Sequence, residues 1–156
     1  MNIVKTKASL FLLMLLNCSS QASQENWHLR CTLDTGEVMN LSHKKDTVYI
    51  NFKSQDKISD IGSTVIKLDT NSGEAQQSIT VNDVTGSRVF VLRATGDATE
   101  GAMAIAYEEY KGKPDARVSV MNPMGKEIKS HACLTNTINA RSNLLYTGIE
   151  HVPFIH

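Results

Sequence analysis

The run Trp27-His28-Leu29-Arg30-Cys31-Thr32-Leu33 decides how the rest of the chain is read. Trp27, Leu29, Cys31 and Leu33 fall on one side of an extended backbone, and His28, Arg30 and Thr32 on the other. A period of two marks a half-buried β-strand, whereas an amphipathic helix repeats every 3.6 residues. Val48, Ile50 and Phe52 repeat the pattern against Tyr49, Asn51 and Lys53. It returns over residues 64–68, 78–81, 87–93, 103–107 and 118–120, and less regularly over 127–133. Turn-forming residues separate these runs: Asp34-Thr35-Gly36, Asn71-Ser72-Gly73, Thr85-Gly86 and Asn122-Pro123-Met124-Gly125. The last has Pro at the second turn position and Gly at the fourth. No segment of ten or more residues combines a helical stripe with caps. The expected fold is all-β, a small antiparallel barrel or sandwich of about eight strands.

Cys31, inside the first run, has a counterpart near the other end of the domain, Cys133. The redox setting of this pair follows from the N-terminus. Residues 1–22 carry Lys5 and Lys7, then the apolar stretch Ala8 to Leu16, then Ser20-Gln21-Ala22. The apolar stretch is about half of the ~20 residues needed to span a bilayer, so it reads as a cleaved export signal. Leu15-Leu16-Asn17-Cys18 offers a second processing route, lipidation at Cys18. Cleavage after Ala22 removes 22 of the 156 residues and leaves 134. Loss of Lys5 and Lys7 from 16 basic residues leaves 14 against 16 acidic ones, a net charge of −2. Two cysteines in an exported domain predict one disulfide, Cys31–Cys133. Such a bridge would bring the first and last core strands together and close the fold. The domain then runs over 23–135, with an apolar extension over 136–156 that packs on it. No second apolar run of spanning length follows the signal, which argues against an integral membrane protein.

Function classes can be excluded more readily than chosen. The whole chain balances 16 Lys+Arg with 16 Asp+Glu, without the basic surplus of a nucleic-acid binder. It has no Gly-x-Ser-x-Gly elbow, no His-Glu-x-x-His and no phosphate-cradling loop. The five histidines form no zinc signature with either cysteine, so no metal or cofactor is expected. Glu108 and Glu109 are neighbours in a strand and point to opposite faces, which prevents them from acting as a facing acid/base pair. Recognition then falls to loops, and two stand out: 93–101 and Tyr110 to Asp115.

An export signal, an early Trp-x-Leu-x-Cys, alternating strands and a closing Cys form a plan that resembles the bacterial periplasmic and lipoprotein inhibitors of c-type lysozyme. The nearest match to the family motif, without its Tyr and aromatic pair and with compressed spacing, runs from Thr85-Gly86-Ser87-Arg88-Val89 into Phe90-Val91-Leu92-Arg93-Ala94-Thr95-Gly96-Asp97-Ala98. The resemblance implies a small β-barrel that plugs an enzyme cleft with a Ser and a Lys. Here Thr85 or Ser87 takes the hydroxyl role, and Arg93 stands where the family has Lys, with Gly96 and Asp97 completing the binding set. The plan is similar also to periplasmic immunity proteins against cell-wall-degrading effectors. The expected function is therefore a periplasmic, non-enzymatic binding protein that blocks a peptidoglycan hydrolase by loop insertion. Two alternatives are a small-ligand or lipid carrier, with an interior lined by Phe90, Met103, Ile105 and Val118, and an envelope-assembly protein that offers its C-terminal extension to a partner.

Overall fold

A computed structural model describes residues 26–55, 63–95 and 102–155. The export signal, Cys18, Gly96 and Asp97 lie outside the described residues. Among the described residues ten strands form two antiparallel sheets of five. In the first sheet, β1 (Asn26–Thr32), β2 (Val38–Lys44), β3 (Thr47–Lys53) and β4 (Thr64–Asp69) pair in sequence order, and the two-residue β10 (Asn139–Ala140) adds to the free side of β1. In the second, β5 (Ala75–Val81), β6 (Arg88–Ala94), β7 (Ala102–Tyr110), β8 (Lys113–Met121) and β9 (Glu127–Ala132) follow one another.

The fold class is the one the alternation requires. Leu29, Met39, Leu41, Val48, Ile50 and Leu68 from the first sheet meet Phe90, Leu92, Ile105 and Val118 from the second in one core. Among the described residues the sheets are not joined into a closed ladder. They touch through the isolated bridge Leu33–Cys133 and through the disulfide Cys31–Cys133. That covalent link is compatible with an oxidising, exported compartment. Among the described residues no helix is long and apolar enough to cross a membrane.

The first run departs from strict alternation at its start. Trp27 pairs with Ser42 and Leu29 with Leu41, so His28 is the extra residue of a β-bulge. A bulge rotates the chain by one position. Trp27 consequently turns outward, 40% exposed, and His28 turns in, 3% exposed. Tyr110 to Asp115 also differs from the expected loop. Tyr110 and Lys113 end paired strands, and Lys111 (φ 51°) and Gly112 (φ 72°) alone make the turn. Two successive residues at positive φ match the right-handed twist of a hairpin.

The segment after Cys133 belongs to the same core. A 3-10 turn (Thr135–Thr137) leads into β10, followed by the single-turn helix α1 (Leu144–Thr147). Leu144, Ile149 and Val152 are buried in the core, and Phe154 bridges in parallel to Gln77 on β5. The tail thereby covers the free edge of β5, an exposed row of unpaired amides in its absence.

Candidate functional site

A groove of about 570 Å3 opens at the end of the core where β6 begins and β7 ends. Arg88 lies on the core-facing side of β6, two residues before buried Phe90, and projects past the edge of the packed interior. Tyr107 and Glu109 share the corresponding face of β7. The opposite wall comes from the C-terminal segment: Arg141, Ser142, Leu145 and Tyr146.

The polar groups in this groove are unevenly satisfied. The Tyr107 hydroxyl donates to Glu109 Oε2 at 3.4 Å. Burial, then the Glu109 charge and this hydrogen bond, push the phenol up to about 12, so it stays protonated and is no base near neutrality. Arg88 lies over the Tyr146 ring, 5.2 Å from its centroid, a cation–π contact between the two walls. Neither guanidinium, of Arg88 or of Arg141, has a carboxylate partner among the described residues. Two unneutralised forks beside an aromatic ring suit a carboxylate-bearing surface.

Beside the groove stands the β5–β6 hairpin. Asn82 fixes it: its Oδ1 accepts from the N–H groups of Val84 (3.0 Å) and Thr85 (3.3 Å), and its carbonyl accepts from Gly86 N–H at 2.7 Å. Thr85 and Ser87 share a hydroxyl hydrogen bond, and Ser87 Oγ donates to Glu108 Oε2 at 2.9 Å. Val84 is left at the tip, 94% exposed. Asn82→Ala should cost about 1 kcal/mol of stability in chemical denaturation and loosen this hairpin selectively, since a typical intramolecular hydrogen bond nets about that much.

Of the residues singled out in the sequence, Thr85 and Ser87 come together in this hairpin, with Ser87 on the groove. Arg93 is placed elsewhere. It lies on the outer face of β6, opposite Ala104 and Gln76, at the far end of the strand. At roughly 3.3 Å per residue it is about 20 Å from Ser87. Glu108 and Glu109 do point to opposite faces, one to the hairpin hydroxyls and one into the groove. Phe90, Ile105 and Val118 are packed in the core, with Met103 against it.

Arg88, Arg141 and Tyr146 were not legible as a set. Arg88 sits next to Ser87 in the chain, but the other two come from a segment more than fifty residues away, brought over by β10 and the tail. Among the described residues no group of three or more His, Cys, Asp or Glu is placed to hold a metal ion. No protein-family model, curated protein or solved structure matches the chain.

Proposed function

We propose that the protein is a periplasmic, non-enzymatic inhibitor or immunity protein that blocks a peptidoglycan hydrolase. The pinned Asn82–Ser87 hairpin enters the enzyme's cleft, and Arg88 and Arg141 face its carboxylates. The observation that carries this reading is the pair of unneutralised guanidiniums on one groove at the foot of a protruding, internally tied hairpin. Glycoside hydrolases cut between two carboxyl groups that flank the scissile bond, so their clefts present the complementary charge. An inhibitor of this kind needs a rigid projection and a matching rim, and no catalytic group of its own. The carrier alternative is less well supported, because the side chains that would line its cavity are packed into the core.

The test is a turbidity assay on peptidoglycan with a panel of muramidases, lytic transglycosylases and amidases. At least one enzyme should be inhibited stoichiometrically, with inhibition weakening as salt rises. Arg88→Ala and Arg141→Ala should each weaken it roughly thirtyfold, about 2 kcal/mol, the low end for truncating one partner of a buried charge pair. Val84→Asp should weaken it at least as much by placing a like charge in the cleft. If no hydrolase of the panel is retained or inhibited, the proposal is wrong.

A further inference from the structure

Behind the Arg141 wall lie two histidines that the proposed contact surface does not use. The bulge at β1 turns His28 inward, and His43 comes from the end of β2. Their rings lie edge to edge and nearly coplanar, with centroids 4.8 Å apart and planes at 20°, and His28 Nε2 shares a hydrogen bond with His43 Nδ1. One N–H shared between two neutral rings satisfies one nitrogen of each. His28 Nδ1 is buried and has no hydrogen-bond partner. A proton added there would have no acceptor, and the resulting cation would sit beside another.

That second cation is Arg141. Its backbone N–H donates to the His28 carbonyl at 2.8 Å, and its guanidinium charge acts on both rings. The other charged or titratable groups acting on the pair, among the described residues, are Glu150 and His151, in the turn beyond α1. Glu150 favours a charged His43, but it is itself largely solvent-exposed and already in contact with His151. The groove wall is thinly attached at this point. β10 contributes two register pairs, Leu29–Ala140 and Arg30–Asn139, and the Arg141 bond to His28 continues them.

We infer that the hydrogen-bonded His28–His43 pair is an acid-sensitive latch on the groove. With both rings neutral it holds the Asn139–Ser142 wall against β1, and protonation of the pair releases that wall together with Arg141. The pair thereby regulates the contact surface proposed above, and the inference rests on that reading only for its effect on binding. The direction agrees with the electrostatics. Burial, then the charges of His43 and Arg141, lower His28 from 6.5 to about 4, and burial is also the main cause that lowers His43. In an unfolded or opened chain a histidine takes up its proton near 6.5. A group with a depressed native value leaves stability complete above that pH and removes it as pH falls toward about 4. The least firmly paired element then opens first.

Amide hydrogen exchange on the full domain tests this without any partner. Between pH 7.5 and 5, the protection factor of the Arg141 amide, corrected for intrinsic rate, should fall about tenfold or more. That of Ile105, in the middle of β7, should change less than about threefold, as expected for local rather than global opening. His28→Leu/His43→Leu removes both titratable rings from the site, and its Arg141 protection should not depend on pH. Should that variant fail to fold, the ring-proton shifts of the native histidines serve instead, and their titration should track the Arg141 amide. Parallel loss at Arg141 and Ile105 would mean simple acid unfolding and would overturn the latch. So would an Arg141 amide that stays protected while both rings titrate. Hydrolase inhibition measured at pH 7.5 decides the contact surface separately.

Discussion

Reduction of the Cys31–Cys133 bridge should lower the urea midpoint of the domain by about 2 M without changing its native spectrum. The bridge spans 102 residues of sequence. In the chain-entropy model a loop of that size removes about 4–5 kcal/mol of freedom from the unfolded ensemble. Divided by a urea slope of about 2 kcal/mol/M, this gives the shift. The native fold should survive because the strands around the bridge are held by other bonds. Asp34 N–H donates to the Ala132 carbonyl at 2.8 Å, Leu134 N–H to the Thr32 carbonyl at 2.8 Å, and Cys133 N–H to the Ala116 carbonyl at 2.8 Å. The Thr137 hydroxyl accepts from Thr32 N–H at 2.9 Å. The loss should therefore appear mainly as easier unfolding. Equilibrium denaturation with and without reductant, together with Cys31→Ala/Cys133→Ala, measures it. A midpoint shift below about 0.5 M would show that the unfolded chain gains little from being released.

The second large effect is expected at Gln77, a polar residue only 1% exposed in the core face of β5. Its Nε2 donates to the carbonyls of Ile149 (2.9 Å) and Val152 (2.8 Å), and its Oε1 accepts from Ile149 N–H at 2.8 Å. Its backbone adds two bonds to the same tail, N–H to the Pro153 carbonyl and carbonyl from Ile155 N–H. Gln77→Ala leaves three buried backbone groups unpaired. At about 1–3 kcal/mol for each, partly relieved by entering water, the net cost should be about 3–4 kcal/mol.

Gly148 depends on the same side chain. It has φ 66°, and a Cβ there would lie 2.3 Å from Gln77 Oε1. Gly148→Ala therefore strains the backbone and displaces the clamp together. Gln77→Ala/Gly148→Ala should be markedly less destabilised than the sum of the single variants, because removing Gln77 vacates the space the new methyl needs. Additive costs in denaturation curves would show that the two residues act independently.

The strands and the disulfide were legible because both rest on local or combinatorial rules. Alternation in Val48–Ile50–Phe52 reports burial directly, and of the three cysteines Cys31 and Cys133 are the two outside the expected export signal, which leaves one pairing. Gln77 gave no such signal, since a polar residue in a strand reads as solvent-facing until something buries it. What buries it are Ile149 and Val152 of the tail, more than seventy residues further along. Tyr110 to Asp115 read equally as a recognition loop or as an ordinary hairpin, and pairing runs up to a two-residue hairpin turn. The hydroxyls Thr85 and Ser87 do meet on the groove side of the molecule. Arg93 does not join them, because six residues of extended strand carry it to the opposite end.

By itself the sequence determined an all-β chain with period-two burial, and it pointed to a disulfide between Cys31 and Cys133 once Cys18 was assigned to the expected export signal. The alternation follows from the geometry of a residue and its near neighbours, and the disulfide from counting cysteines. Only the tertiary structure decided that His28 faces inward, that Gln77 clamps the tail, and that Arg88 and Arg141 share a groove. A one-residue bulge inverts side-chain direction without leaving a mark in the pattern. Contacts between distant segments, for their part, depend on how the two sheets and the tail close around a common core.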